Sequence, residues 1–190
     1  ITLNGVGATS GIDEKLTVIG ANDVVVTGLV TGEKIFNEKT SGTLTVKSTD
    51  VGAIDVSSIQ ADKIQISAAG TAVTAADSQK LEVTADAAAA ITSLVAKTGV
   101  TNGTINLATN KGLTLDMTSG ANNFTTLNLE VLKDATVALT TNATQTTNVT
   151  GSAKLTLNAT GVSAVDASEA TGDFTYTQTG DNVTGVTGSA

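Results

Sequence analysis

The chain is 190 residues long, 40% apolar yet only 2% aromatic, and its 18 acidic residues outnumber ten lysines to leave a formal net charge of −8. It has no Cys, His, Trp, Pro or Arg, which excludes thiol and imidazole catalysis, the nitrogen and sulfur ligands of transition metals, and the Arg-rich patches that hold nucleic acid. The apolar fraction is too high for a disordered chain, and no run approaches the roughly 18 apolar residues of a membrane-spanning helix.

Thirty-six threonines are spread along the chain, most of them beside apolar residues. Thr and Val are β-branched and suit a pleated surface with one face buried. In chain order, Leu16-Thr17-Val18, Val24-Val25-Val26, Leu44-Thr45-Val46, Ile64-Gln65-Ile66 and Leu81-Glu82-Val83 read as short strands, apolar on one side and polar on the other. Residues 86–104 read differently. Asp86 as an N-cap, four alanines behind it and Gly99 as a stop allow a short helix or an irregular insertion. Strands resume with Ile105-Asn106-Leu107, Leu113-Thr114-Leu115, Leu127-Asn128-Leu129, Val137-Ala138-Leu139, Leu155-Thr156-Leu157 and Phe174-Thr175-Tyr176. Gly, Asn, Asp and Ser fill the intervals as turn residues.

Leu44 to Ile64 is 20 residues, Ile64 to Leu81 is 17, Val137 to Leu155 is 18 and Leu155 to Phe174 is 19. A unit of that length with two or three short strands predicts an all-β fold, a right-handed parallel β-solenoid with irregular coils, in which aliphatic ladders lie inside and Thr ladders outside. Two intervals break the period: Leu81 to Ile105 is 24 and Leu127 to Val137 only 10. The alternative is an antiparallel β-sandwich, disfavoured by the missing Pro and by the quasi-repeat. A leucine-rich repeat is weaker still, since Phe124-Thr-Thr-Leu127-Asn-Leu129 matches its strand consensus once. Residues 1–190 are expected to form one elongated segment of a longer protein, with Leu155, Leu157, Val165 and Phe174 among its buried side chains.

The C-terminal third carries the phrases Leu155-Thr-Leu-Asn-Ala-Thr-Gly161 and Val165-Asp-Ala-Ser-Glu-Ala-Thr-Gly172, then Gly180-Asp181-Asn182-Val183-Thr184-Gly185. The first two resemble the strand-turn units of Thr/Ala/Val-rich bacterial surface-layer (S-layer) proteins and related RTX-type surface proteins. The last resembles a degenerate RTX unit without its paired glycines and tandem repetition. The resemblance implies a secreted protein on the extracellular cell surface, exported by a type I route, that assembles with itself into a lattice and needs calcium for order.

Calcium also suits the ligand inventory, because it takes six to eight oxygens and needs no nitrogen or sulfur. Turn positions offer Asp50, Asp55, Asp77, Asp86, Asp166, Glu169, Asp173, Asp181 and Asn182. Asp166, Glu169 and Asp173 are spaced around Gly172 and, with Asp181 and Asn182, form the candidate metal set. The competing reading is that each turn Asp satisfies backbone donors. Asn-x-Thr sequons occur at Asn102, Asn123, Asn142, Asn148, Asn158 and Asn182, as chance alone supplies in so Thr- and Asn-rich a chain. Thr175-Tyr-Thr177, followed by Thr179, approaches the T-x-T face of ice-binding solenoids, and chance is the better account of it.

These features predict a structural, non-enzymatic surface protein whose main partner is itself, with cell-surface polysaccharide as a further one. A secreted adhesin or biofilm-matrix module is the alternative. A polysaccharide-cleaving β-helix enzyme, using paired carboxylates, is the third reading.

Overall fold

The computed structural model describes residues 2–4, 15–28, 33–48, 52–67, 71–84, 89–119, 123–142, 144–180 and 184–188. Strands β1 (Thr2–Asn4), β3 (Val24–Thr27), β5 (Leu44–Ser48), β7 (Lys63–Ile66), β9 (Lys80–Val83), β11 (Gly103–Thr109), β13 (Phe124–Val131), β15 (Thr146–Gly151), β17 (Ala164–Ala170) and β19 (Gly185–Thr187) form one ten-stranded sheet, in that order. A seven-stranded sheet takes β6 (Ala53–Asp55), β8 (Thr71–Ala75), β10 (Ala89–Ala96), β12 (Leu113–Asp116), β14 (Ala135–Thr140), β16 (Leu155–Thr160) and β18 (Phe174–Thr179). The remaining two strands, β2 (Lys15–Gly20) and β4 (Lys34–Lys39), pair with each other.

The chain therefore alternates between two sheets, and each strand meets its counterpart one coil away. Every strand pairing among the described residues is parallel. A sandwich of antiparallel hairpins is thereby ruled out, and the fold is a parallel β-solenoid.

Side-chain alternation makes the stack work. In the ten-stranded sheet Val26, Val46, Ile64, Leu81, Leu107, Leu129 and Val149 occupy one register row, and all are buried. Opposite them, Leu113, Val137 and Leu157 make a buried row of the seven-stranded sheet. Aligned aliphatics of similar size fill a narrow interior without rings, which is why so few aromatics suffice.

The two outer faces differ. On the seven-stranded sheet Thr136, Thr156 and Thr175 line up in one row, and Thr140, Thr160 and Thr179 in another. Thr175 and Thr179 thus continue threonine rows that begin coils earlier, while Thr177 follows Ala138 and Asn158 in its row. Strands β8, β10, β14, β16 and β18 contain no charged residue. The ten-stranded sheet instead carries Lys47, Lys63, Lys80, Glu82, Glu130, Asp166 and Glu169.

Two expectations are corrected. The helical reading of 86–104 is not what its described residues form. Residues 89–96 are strand β10, with a register shift between Ile91 and Ser93, and β11 begins at Gly103. The alanines join a sheet that coils on either side already template, so tertiary pairing overrides their helical preference. Phe174 is half-buried rather than buried, because β18 is the last strand of its sheet and no further strand covers it; its ring stacks on Tyr176 at 6.3 Å between centroids.

Candidate functional site

Turn aspartates were the first candidates for chemistry; of those, Asp77 holds coils together, as do Asp23, Asp62 and Asp134, which the sequence did not single out. The backbone N–H of Thr43 donates to Asp23 Oδ1 at 2.7 Å, and that of Leu44 to Asp62 Oδ2 at 2.7 Å. Thr104 N–H donates to Asp77 Oδ1 at 2.7 Å and Lys154 N–H to Asp134 Oδ1 at 2.9 Å. Each carboxylate satisfies a donor belonging to a neighbouring coil, which a parallel stack leaves at every strand entrance. Asp55 turns inward on its own loop, accepting from Ser57 N–H at 2.9 Å.

The candidate metal set is not gathered into one place by the described residues. Asp166 and Glu169 both lie on the exposed face of β17, while Asp173 sits in the turn before β18, where its carbonyl accepts the N–H of Leu155 at 2.8 Å. Asp181 and Asn182, like Asp50 and Asp86, lie outside the described residues. No group of three or more Asp or Glu side chains placed to hold a metal ion occurs among the described residues. Asp166 Oδ1 accepts the N–H of Ser168 at 2.9 Å, and this hydrogen bond, reinforced by the Ser168 hydroxyl, holds the carboxyl below its ordinary range. That oxygen is already engaged. The described residues alone do not make the six- to eight-oxygen shell that calcium requires.

The side chains the fold does bring together lie on the outer face of the ten-stranded sheet. Lys80, Asn106, Asn128, Asn148 and Asp166 occupy one register row. Asn106 Nδ2 donates to the carbonyl of Ser78 at 3.1 Å, Asn128 Nδ2 to Asn106 Oδ1 at 2.9 Å, and Asn148 Nδ2 to Asn128 Oδ1 at 2.8 Å. The amides form a ladder with all dipoles pointing one way, the arrangement that identical stacked side chains favour. It ends beside the Asp166 carboxylate.

The adjacent row holds Lys47, Gln65, Glu82, Ala108, Glu130, Thr150 and Glu169. Glu82 takes a 2.8 Å ion pair from Lys63 and a 3.2 Å hydrogen bond from Gln65. Burial pushes its pKa up, but the hydrogen bonds from Lys63 and Gln65 and the charges of Lys63 and Lys47 outweigh burial and hold the carboxyl below its ordinary value. Between the rows runs a shallow groove in two stretches, about 370 Å³ and about 430 Å³, which share Asn128 and Thr150.

No protein-family model, curated protein or solved structure matches the chain. Its surface must speak for it. A groove with amides, hydroxyls and carboxylates suits contact with polar or charged partners. Two of its carboxylates, Glu82 and Asp166, are held below their ordinary range by hydrogen bonds and charge.

Residue alternation alone gave the aliphatic rows and their outward Thr. It did not give the amide ladder. Asn106, Asn128 and Asn148 are separated by 22 and then 20 residues, so only knowledge of the unequal coil lengths aligns them. The recoverable signal was the centre of each triplet: Asn106 and Asn128 stand where Thr stands elsewhere.

Proposed function

We propose that the chain is a structural segment of a secreted, self-assembling layer on a cell surface, as its resemblance to bacterial S-layer proteins suggests. The observation that carries this reading is the deployment of its polar groups: Asp23, Asp62, Asp77 and Asp134 tie coil to coil, and the asparagines tie strand to strand. Groups that an enzyme would aim at a substrate serve the stack itself. The product is a ribbon with two extended, chemically different faces, a shape suited to repeated lateral contacts.

On this reading calcium acts at contacts between copies, where carboxylates from two chains together complete an oxygen shell and relieve the repulsion between copies of charge −8. The test is electron microscopy of the purified chain with calcium, with magnesium and with a chelator, alongside thermal melting. Ordered sheets that form with calcium and dissolve on chelation, with a matching fall in melting temperature, are expected. Sheets indifferent to chelation remove calcium from the reading, and isolated particles under every condition remove the lattice.

The open groove lined by Asn128, Asn148, Asp166 and Glu169 favours a second reading, an adhesin that binds cell-surface polysaccharide. Saturable binding of polysaccharide by monomers would establish it in place of the first.

A further inference from the structure

The charges on the outer face of the ten-stranded sheet are unevenly distributed. Lys47, Lys63 and Lys80 lie on β5, β7 and β9, while Glu130, Asp166 and Glu169 lie on β13 and β17. Between them, β11 presents the uncharged Asn106 and Ala108. Of the acids on the lysine side, Glu82 is neutralised by its ion pair with Lys63, and Asp62, at the edge of the groove, accepts the N–H of Leu44. The face is therefore positive at one end and negative at the other. Lys80, Glu130 and Glu169 are exposed, and none forms an ion pair among the described residues.

From this we infer that the face is self-complementary and docks a second copy of the chain about a two-fold axis running along β11. The inference rests on the reading of the chain as a self-assembling segment and names its contact surface. Such an axis, lying between the two faces, reverses the order of the strands and keeps their direction. Strand β9 then meets β13 of the second copy, β7 meets β15, and β5 meets β17. Lys47 comes to lie over Glu169 of its row with Asp166 one outward position away. Glu130 comes to lie over Glu82, beside the Lys63 that pairs with Glu82, and Lys80 is diagonal to Glu130 at about 7 Å along the strand and within reach of a long side chain. Every such contact occurs twice, as an isologous interface requires. An axis along the stack would instead place every strand over its own copy, lysine end on lysine end.

Size fits a lattice contact. Seven strands at about 4.8 Å and about five residues at roughly 3.3 Å cover about 34 by 17 Å, or roughly 570 Å² on each copy. The total of about 1,100 Å² is near the lower limit for a specific interface, so the pair is weak alone and gains strength by repetition. Charge contributes chiefly orientation and encounter rate. The hydroxyl face of the other sheet has no such polarity to set register.

The experiment is sedimentation of the 190-residue chain, wild type against Lys80→Glu, Glu130→Lys and the double variant, at low and high salt, with melting curves as the folding control. Each single exchange is expected to weaken self-association about tenfold and the double exchange to restore it, because the two positions are diagonal neighbours across the axis. High salt weakens the wild type. Single exchanges without effect, or a double variant worse than either, overturn the inference.

A second measurement does not depend on charge. The chain lacks cysteine, and docked faces stand about 10 Å apart, beyond direct disulfide reach, so Ala108→Cys, at the axis, is expected to be linked between copies by a short bis-maleimide at about ten times the yield of Asn158→Cys on the opposite sheet. The reverse preference places the contact on the hydroxyl face and overturns the inference. Ordered arrays that persist in the Lys80→Glu chain refute this contact while leaving the self-assembly reading standing. A wild-type chain that neither sediments as dimers nor forms arrays refutes both.

Discussion

Gly161 has a φ of 79°, and a Cβ built on it would come within 2.1 Å of the Thr141 carbonyl oxygen in the coil below. Both the backbone conformation and the space are closed to other residues, so Gly161→Ala is expected to cost about 1–3 kcal/mol, read from a denaturant melt. Leu157 is fully buried, and Leu157→Ala should cost about 2–5 kcal/mol, with Leu157→Asp worse because a charge is stranded in an apolar interior. A Leu157→Asp chain as stable as wild type would overturn the inward assignment. Glu82 supplies a pH dependence. Its folded pKa is lowered, so its contribution is complete above the unfolded value near 4.5 and is lost as pH falls through the folded value. Glu82→Gln should therefore flatten the acid limb of a stability–pH curve and leave the neutral region changed only by the lost ion pair. At this scale the sequence was readable as far as type and no further. That Asp23 or Asp134 occupies a turn follows from turn chemistry, but its partner is 20 residues away, and only the coil length identifies it.

Strands were the most legible elements. All eleven apolar-x-apolar triplets read from the sequence fall within strands, from Leu16–Val18 in β2 to Phe174–Tyr176 in β18. Those missed lack the signal for physical reasons. In β15 the inward position next to Val149 is Thr147, a buried hydroxyl where an aliphatic would announce the face. In β10 the alanines have no side-chain bulk to show a period of two, and helix was a fair local reading. The broken intervals also have a simple origin. Leu127 and Val137, ten residues apart, belong to opposite sheets of one coil, and Leu81 faces Leu107, 26 residues on, because that coil is the longest. The amide ladder tests the element scale. Asn128→Asp replaces an amide donor with a carboxylate facing Asn106 Oδ1, leaving two acceptors opposed. It should destabilise the chain by about 1–3 kcal/mol at neutral pH and less in acid, where the protonated carboxyl donates again.

Fold class was legible across the whole molecule because a solenoid is a local rule repeated: each coil answers only to its neighbours, so short-range pattern determines global form. Surface character was not, since it depends on which coils align. The concentration of charge on one sheet, against only Asp55 and Asp116 in the strands of the other, becomes visible only when seventeen strands are sorted between two sheets. That sorting also sets a limit on recognition, because the two faces of one ribbon can answer to different partners.

The parallel stacking has a mechanical corollary. The hydrogen bonds that join strand to strand run along the axis of the stack, with β1 at one end of the ten-stranded sheet and β19 at the other. Tension between those ends loads the bonds of a single coil at a time and peels it away, whereas tension directed along the strands must shear many rows together. Coils of 17 residues, as from Ile64 to Leu81, or 26, as from Leu81 to Leu107, would each release about 60–90 Å of slack at roughly 3.5 Å per residue. Force spectroscopy on the ends should therefore record a train of small, unequal extensions at low load, and the same chain pulled across its strands should hold and then fail at once. A layer built from such ribbons would yield along one direction and resist along the other, absorbing strain by shedding coils that can wind back on when the load is gone.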